Sequence, residues 1–279
     1  MTDYLKYKND FSNPELPSVI DELSFWSSRF GQLLFNQIAI RRALKILDVG
    51  CGSGFPLFEL AHVFGSSCQL TGLDVWREAI NRARHKLRFY DLHNVQLVWA
   101  DGARQPFVEQ AFDLIVSNLG LNNWSHPQAV LAECFRVAKS DASIVLTTNV
   151  AGHYHEFYDL FRETLREVDR PEYLERLNAQ EAHRGTRESL CALLRQAGWS
   201  PVKVIEDGFQ MRFLDGSALL NHSLTKIGFL DGWRSVVEAD DEERVFESIE
   251  RKLNDKASVE GELRMSVPML YLEAVKATR

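Results

Sequence analysis

The stretch "KILDVGCGSGFPLFELA", residues 45–61, joins an apolar run to a helix-like segment through three glycines that alternate with Cys51 and Ser53. An apolar run that ends in glycine is typical of a buried strand. A glycine loop between a strand and a helix allows a ligand to approach the backbone closely and to meet free amides at the helix N-terminus. Asp48 precedes the first glycine by two residues. The stretch therefore predicts a strand, a ligand-binding turn and a helix.

The same alternation continues on the C-terminal side, to about residue 150. Apolar runs at residues 68–75, 95–101, 112–119 and 142–150 predict four more strands, and helical patterns lie between them. Strands separated by helices favour parallel βαβ units with right-handed crossovers. The predicted fold class is α/β, with a doubly wound and mostly parallel sheet.

The segments outside this core predict an arm and a lid. Residues 1–43 form a predicted N-terminal helical arm, and residues 44–279 the main domain. Two long apolar runs, at residues 201–214 and 262–277, predict strands that pair at one edge of the sheet. Helical patterns occupy the intervening residues, about 215–260. Because this insertion is longer than an ordinary loop, we interpret it as a lid with its own structure.

Composition narrows the class of protein. The 279 residues are 45% hydrophobic and 25% charged, and the net charge is −7. No basic run is present, which argues against a nucleic-acid partner, because phosphate neutralisation needs clustered lysine and arginine. The four cysteines form no CxxC pair, and no histidine or carboxylate cluster has ligand spacing, so we expect no metal site.

Localisation follows from two further expectations. The N-terminal sequence is too charged for a signal peptide, and no apolar run approaches the ~18–20 residues of a membrane span. We therefore expect a cytoplasmic protein. A separate expectation is that it is either a monomer or a homodimer.

The glycine spacing separates three kinds of ligand. A P-loop requires a lysine after its glycines, and none follows here. A dinucleotide fingerprint reads GxGxxG, whereas Gly50, Gly52 and Gly54 give GxGxG with Phe55 next. Asp48 would also repel a pyrophosphate. The loop favours a ligand that carries a cationic group and no phosphate, and an NAD-dependent oxidoreductase is the weaker alternative.

Acidic residues also end the next two strands. Asp74, 20 residues past Gly54, is placed to accept hydrogen bonds from both hydroxyls of a ribose. Asp101 can accept from an adenine amino group, with the amides of Gly102 and Ala103 facing the ring. Aspartate and glycine after a strand are also common turn formers, which is the alternative for either acid alone. Three successive strands that end in fitting chemistry favour the binding interpretation.

These motifs resemble a known family. "ILDVGCGSGF", "GLDV", "ADGARQPF" and "FDLIVSNLGL" are similar to the successive motifs of class I S-adenosylmethionine-dependent methyltransferases of the small-molecule type (type 11), which includes quinone-biosynthesis C-methyltransferases. The resemblance covers about residues 44–150. It implies a Rossmann-like, seven-stranded sheet with an antiparallel last strand, and S-adenosylmethionine as the cofactor.

The resemblance also implies which residues hold the cofactor. The three glycines would border its methionyl part, Asp48 its amino group, Asp74 its ribose and Asp101 its adenine. The full predicted cofactor set is Asp48, Gly50, Cys51, Gly52, Gly54, Asp74, Val75, Asp101, Gly102, Ala103, Ser117 and Asn118.

The substrate is expected where the strand order reverses. The resemblance implies that this reversal lies between the first and fourth strands. The predicted substrate-pocket residues are Trp26, Arg29, Asn118, Asn122 and His153. His153 is the predicted general base, because histidine titrates near neutral pH. The alternatives are that His153 and His155 are partly exposed residues at a helix start, and that the arm aromatics only attach the arm.

Two functional hypotheses follow from this reading. The first is a methyltransferase for a small, partly apolar metabolite that the lid and the arm enclose. The motif Asn/Asp-Pro-Pro-aromatic of enzymes that methylate nucleic-acid amines is absent, since Leu119 and Gly120 follow Asn118. The second hypothesis is a non-catalytic protein that binds S-adenosylmethionine as a sensor or scaffold. The acceptor atom, whether oxygen, nitrogen, carbon or sulfur, stays open.

Overall fold

A computed structural model of the chain describes residues 2–22 and 24–276, so the predictions at residues 1, 23 and 277–279 lie outside the described residues. Its seven-stranded sheet has the order β3-β2-β1-β4-β5-β7-β6. The strands are β1 (Lys45–Val49), β2 (Gln69–Asp74), β3 (Val95–Trp99), β4 (Phe112–Asn118), β5 (Ala138–Asn149), β6 (Ser200–Phe213) and β7 (Leu263–Val275). Every predicted strand is present.

Helices occupy the segments that the patterns indicated. They are α1 (Leu16–Glu22), α2 (Ser24–Gln37), α3 (Leu57–Phe64), α4 (Arg77–Tyr90), α5 (Pro127–Val137), α6 (His155–Arg166), α7 (Pro171–Ala182), α8 (Arg187–Gln196), α9 (Gly216–Asn221), α10 (Ser223–Gly228), α11 (Leu230–Arg234) and α12 (Ala239–Glu260). Short 3₁₀ turns lie at Asp3–Lys6 and Leu121–Asn123. The described part of the predicted arm thus contains α1, α2 and the first 3₁₀ turn, with residues 7–15 outside any helix, and the predicted lid contains α9 to α12.

The centre of the sheet is parallel, and its strand order reverses at β1. Leu47 lies opposite Thr71 of β2 on one side and Ile115 of β4 on the other. β7 pairs antiparallel with β5, with Thr147 opposite Tyr271. The fold class is therefore confirmed as a mostly parallel, Rossmann-like sheet with an antiparallel edge. The reversal places the ends of β1 and β4 side by side, where a ligand crevice forms in such sheets.

The chain divides into two compact units. One, which we call the helical unit, comprises Met1–Asp10, Val150–Gly185 and Gly208–Pro268. The other, the sheet unit, comprises Phe11–Asn149, Thr186–Asp207 and Met269–Arg279. The predicted boundary at residue 43 and the lid as a separate insertion stay predictions.

Each unit has its own buried core. In the helical unit, Phe157 stacks on Trp233 with 3.9 Å between ring centroids, and Phe161 lies 5.8 Å from Phe246. In the sheet unit, β1 is buried from Ile46 to its end, as expected of a strand with helices on both faces. The sheet unit also contains all four cysteines, which are buried free thiols: Cys51, Cys68, Cys134 and Cys191. Among the described helices, none is long and apolar enough to cross a membrane.

Candidate cofactor site

The glycine loop adopts a backbone that requires glycine. Gly50, Gly52 and Gly54 have φ angles of +83°, +51° and +112°, in the region that L-residues rarely adopt. A Cβ atom on Gly54 would lie 2.0 Å from the ring of Phe58, so this glycine also permits the close approach of α3. The amides of Gly50 and Cys51 both donate to the carbonyl of Leu73, at 2.8 and 3.2 Å. The loop is therefore fixed to the end of β2.

Asp74 connects the glycine loop to the start of α4. One carboxylate oxygen accepts a hydrogen bond from the amide of Gly52 (2.8 Å), and the other accepts from the amide of Trp76 (2.7 Å). Burial raises the pKa of Asp74, and hydrogen bonds from three backbone amides, of Trp76, Gly52 and Val75, oppose that rise. The carboxylate is thus held in one orientation at the end of the strand.

Asp101 lies at the end of the third strand, where it also forms a turn. Its carboxylate accepts from the amide of Ala103 (2.9 Å), and its carbonyl accepts from the amide of Arg104 (3.0 Å). A Cβ atom on Gly102 would lie 3.3 Å from side-chain atoms of Val49 and Val130. The turn-forming interpretation and the binding interpretation of Asp101 are therefore compatible, because the turn lies on the wall of a cavity.

That cavity, of about 390 Å³, lies at the carboxyl ends of β1 to β4. A volume in this range is typical of small-molecule sites. The predicted cofactor residues on its wall are Gly50, Asp74, Val75, Asp101, Gly102, Ala103 and Asn118. Four separate strands therefore bring their end residues to a single cavity.

Other predicted residues lie behind this wall rather than on it. Ser117 donates its hydroxyl to the carbonyl of Val49 (2.6 Å) and so joins β4 to β1. Asn122 donates to the backbone and side-chain oxygens of Asn149 (2.8 and 2.7 Å). Gly52 and Gly54 contribute the left-handed backbone of the loop. Cys51 is buried, and this burial raises the pKa of its thiol well above the ordinary value.

Asp48 is the most unusual of these residues. It is 0% exposed in the middle of the sheet, opposite Gly72 of β2. Neither carboxylate oxygen has a hydrogen-bond partner among the described residues. Burial, with a smaller contribution from the charge of Asp74, raises the pKa of Asp48 to about 8. The carboxyl is therefore mainly neutral at neutral pH, and among the described residues it is not one that lines the cavity.

Helix α2 lies against this end of the sheet. Asn118 accepts a hydrogen bond from Thr147 Oγ1 (2.7 Å) and donates to the carbonyl of Ser27 (3.3 Å). A Cβ atom on Gly31 would lie 2.3 Å from the ring of Phe55, the residue that follows the glycine loop. The helix therefore contacts both the loop and the end of β4.

The predicted substrate residues Trp26 and Arg29 belong to α2, close to Ser27. The Trp26 ring lies 5.2 Å from that of Phe30, which is fully buried. The Arg29 guanidinium lies 5.5 Å from the ring of Phe25, which is 66% exposed. The alternative that the arm aromatics only attach the arm is consistent with the buried Phe30 and does not fit Phe25, which has no buried packing role. Neither Trp26 nor Arg29 lines the cavity of the glycine loop.

The sequence did not single out the corner that follows β4. Leu119 has a φ of +65°, and a Cβ on Gly120 would lie 2.3 Å from Ser117 Oγ and 3.0 Å from Trp124 Nε1. The cavity wall here consists of Leu119, Gly120, Asn123, Trp124, Ser125 and His126. The sequence did contain a signal for this corner: Gly120 comes directly after a predicted strand, and Trp124 follows it by four residues.

His153 belongs to the helical unit. It is 2% exposed, and its ring stacks on Tyr154 (4.1 Å) and lies 5.1 Å from Phe229. Burial and the charge of Arg184 hold its pKa well below the ordinary value. The expectation of partly exposed histidines is wrong for His153. His153 also lies outside a helix, because Tyr154 has φ +53° and α6 begins at His155.

Comparisons with known proteins identify the family. The chain matches the methyltransferase domain family over residues 40–197, more than half of its length. It is 28% identical over 178 residues to the demethylmenaquinone methyltransferase of Listeria monocytogenes serotype 4b, which covers 60% of this chain and 74% of the relative. In the part of the chain that the structure describes, no group of three or more potential ligands could hold a metal ion.

Two solved structures share the fold. The YcgJ protein of Bacillus subtilis superposes with a TM-score of 0.60 at 12% identity, over 90% of this chain and 100% of that chain. A SAM-dependent methyltransferase from Aquifex aeolicus gives a TM-score of 0.53 at 22% identity, over 69% of this chain and 92% of that chain. The chain belongs to the methyltransferase domain family. It is an S-adenosylmethionine-dependent methyltransferase, as its motifs indicate, and the sensor hypothesis is not supported.

Proposed function

We propose that the protein transfers a methyl group from S-adenosylmethionine to a small, partly apolar molecule. The observation that carries the proposal is the single cavity whose wall includes Gly50, Asp74, Asp101 and Asn118, each from the end of a different strand. We assign Asp74 to the ribose, Asp101 to the adenine and the glycine loop to the methionyl part. Asp48 is assigned to the ammonium group.

The charges of the site fit this cofactor. Asp74 and Asp101 lie on the cavity wall, and among the described residues that line it there is no lysine or arginine. Such a wall suits a ligand with a sulfonium and an ammonium group and no phosphate. The buried carboxyl of Asp48, which has no described partner, would be stabilised in its ionised form by a nearby ammonium.

The substrate class is inferred from the corner after β4. Leu119, Gly120 and Trp124 give this part of the wall an apolar and aromatic portion, next to the polar side chains of Asn123, Ser125 and His126. An uncharged ring compound, related to the quinone-type substrate in the name of the Listeria relative, fits these side chains. We further propose that the arm and the lid enclose the substrate and that nucleic acid is not a substrate. The monomeric or homodimeric state and the cytoplasmic location stay predictions.

The sulfonium of the cofactor supplies an electrophilic methyl group without a metal. The protein then has to hold an acceptor in line with that methyl group and to exclude water, which positioned side chains can do. We retain His153 as the proposed base for a hydroxyl or amine acceptor. Its lowered pKa keeps the imidazole in the neutral form that accepts a proton, but the burial and the charge of Arg184 that lower this pKa also disfavour the protonated ring.

Calorimetry with S-adenosylhomocysteine tests the cofactor assignment. Asp74→Ala should weaken binding by roughly tenfold or more, because a charged acceptor is lost. Asp91→Ala is the matched control, since Asp91 is an exposed acid at the end of α4 that pairs with His93 (3.3 Å). Equal affinity of wild type and Asp74→Ala would remove the ribose assignment. A screen of quinols and other small ring compounds for S-adenosylhomocysteine release then tests the substrate class.

A further inference from the structure

The arm contacts the residues around the cofactor site at two places. Near its start, the carbonyl of Phe11 accepts a hydrogen bond from Trp76 Nε1 (2.7 Å), and the two rings meet edge to face at 5.4 Å. At the other end, Asp21 of α1 accepts a hydrogen bond from the hydroxyl of Ser53, inside the glycine loop. The arm thus reaches the loop itself, beyond any packing on the outer surface of the domain.

Asp21 is held by two cations as well as by Ser53. Arg82 Nε lies 3.0 Å from one carboxylate oxygen, and Lys86 Nζ lies 2.8 Å from the other. The Asp21 side chain is only 16% exposed. We call Asp21, Ser53, Arg82 and Lys86 the Asp21 cluster. Because a buried carboxylate is costly unless it is paired, the position of α1 depends on this cluster.

The two contacts of the arm lie on either side of Asp74. The amides that donate to the Asp74 carboxylate include that of Trp76, whose ring binds the arm at Phe11, and that of Gly52, which precedes Ser53. The arm and Asp74 therefore bridge the same two backbone segments, the start of α4 and the glycine loop. Displacing the arm would remove a support from both segments that position the ribose carboxylate.

We propose that Asp21 is a positioning residue for the cofactor. By holding Ser53 on the glycine loop and the two cations on α4, Asp21 docks the segment of residues 11–22 beside the cofactor site and slows cofactor exchange. The inference rests on the proposed cofactor site. It changes the role expected of the arm, since loss of docking should affect cofactor binding directly.

A double-mutant cycle tests this role, with dissociation of S-adenosylhomocysteine measured by stopped-flow fluorescence. Asp21→Ala and Ser53→Ala should each speed dissociation by about tenfold, since a charge-assisted hydrogen bond is lost. The double variant should dissociate little faster than Asp21→Ala, because both substitutions break the same contact. Independent effects that multiply in the double variant would overturn the proposal.

Asp113→Ala is the matched control for a purely structural role. Asp113 is a partly buried carboxylate in β4 that binds Lys139 Nζ through both oxygens (2.8 Å each) and accepts from the amide of Lys45 (2.9 Å). Its loss should lower the thermal unfolding midpoint without changing the dissociation rate. Hydrogen exchange of the α1 amides should rise in Asp21→Ala and not in Asp113→Ala.

The outcomes separate the inference from the proposed function. A wild-type protein that does not bind S-adenosylhomocysteine overturns both. Binding by the wild type with an unchanged dissociation rate in Asp21→Ala overturns only the role of Asp21. If Asp21→Ala does not fold, Ser53→Ala decides alone, because it leaves both ion pairs of Asp21 in place. An unchanged rate in Ser53→Ala then rejects the proposal.

Discussion

The proposed assignment of Asp48 to the ammonium group of the cofactor predicts that cofactor binding depends on pH. Its carboxyl has a pKa of about 8 without a ligand, and an ammonium beside it would favour the ionised form. Binding should then release a proton, and the affinity for S-adenosylhomocysteine should rise by up to about tenfold per pH unit from pH 6 to 7.5. Calorimetry in two buffers of different ionisation enthalpy measures both effects. Asp48→Asn should bind more weakly and without this pH dependence; an identical pH profile would contradict the assignment.

Trp124 offers a test of where the sulfonium lies. Its indole forms part of the cavity wall, with Nε1 near the positions that a Cβ on Gly50 or Gly120 would take, at 3.7 and 3.0 Å. An aromatic face stabilises a cation by about 0.5–2 kcal/mol. Trp124→Leu should therefore weaken binding of cationic S-adenosylmethionine more than binding of neutral-sulfur S-adenosylhomocysteine.

The control for this prediction is Trp99→Leu. Trp99 is half-exposed at the end of β3, and its Nε1 donates to the carbonyl of Val75 (2.8 Å), but it does not line the cavity. Its replacement should leave the ratio of the two affinities unchanged. Equal losses for both ligands in Trp124→Leu would show that the indole contributes only packing.

At the scale of elements, β4 has a left-handed residue beyond each end. Gln110 precedes it with φ +54°, and Leu119 follows it with φ +65°. This conformation costs a non-glycine residue roughly 1–2 kcal/mol. Gln110→Gly should therefore raise the free energy of unfolding by about 0.5–1 kcal/mol, after the entropy cost of glycine, without affecting activity. Leu119→Gly should instead lower turnover, because Leu119 lines the cavity.

Chemical denaturation and turnover assays on both variants measure this difference. A Leu119→Gly enzyme with normal activity would mean that the corner after β4 does not contact the substrate. Strain that is retained at a cavity wall is common where the side chain has a function.

The elements show why part of the site was predictable from the sequence. Gly50, Asp74 and Asp101 each follow an apolar run, and a parallel sheet brings the ends of such runs to one edge. Ser117 and Asn118 show the limit. Adjacent strand residues point to opposite faces, so Asn118 reaches the cavity while Ser117 binds Val49. Because β4 is buried on both sides, its apolar pattern does not reveal whether Ser117 or Asn118 points toward the ligand.

Contacts between distant segments were not predictable. Asp21 meets Ser53 and Lys86 across 32 and 65 residues, and no spacing rule connects such positions. Trp124 lines the cavity because the turn at Leu121–Asn123 redirects the chain after Gly120. These placements depend on loop geometry, which the packing of the whole fold determines.

For the whole molecule, two buried groups give opposite dependences of stability on pH. Asp48 has a raised pKa of about 8, so its burial cost is small below pH 4 and grows until about pH 8. His153 has a lowered pKa, so its contribution to stability is complete above about pH 6.5 and is lost as the pH falls further. Asp48→Asn should raise the thermal midpoint at pH 8 and much less at pH 4.

His153→Phe is the complementary variant, because it keeps a ring in the stack with Tyr154 and removes the titrating group. It should reduce the loss of stability between pH 7 and pH 5 that the wild type shows. Circular dichroism melts at pH 4, 5, 7 and 8 cover both predictions. If the thermal midpoint falls on acidification by the same amount in His153→Phe and in the wild type, the acid sensitivity belongs to other groups.

The buried cysteines can be used to measure how often the sheet unit opens. All four thiols belong to the sheet unit, and the helical unit has none. A thiol-specific dye added to the native protein can therefore reach Cys51, Cys68 and Cys134, which are 0% exposed, only when the sheet unit opens, whereas fluctuations confined to the helical unit leave these thiols unlabelled. The labelling rate at each of these cysteines then reports how often the sheet unit opens. Mass spectrometry of the labelled peptides would show whether the glycine loop at Cys51 opens before α5 at Cys134.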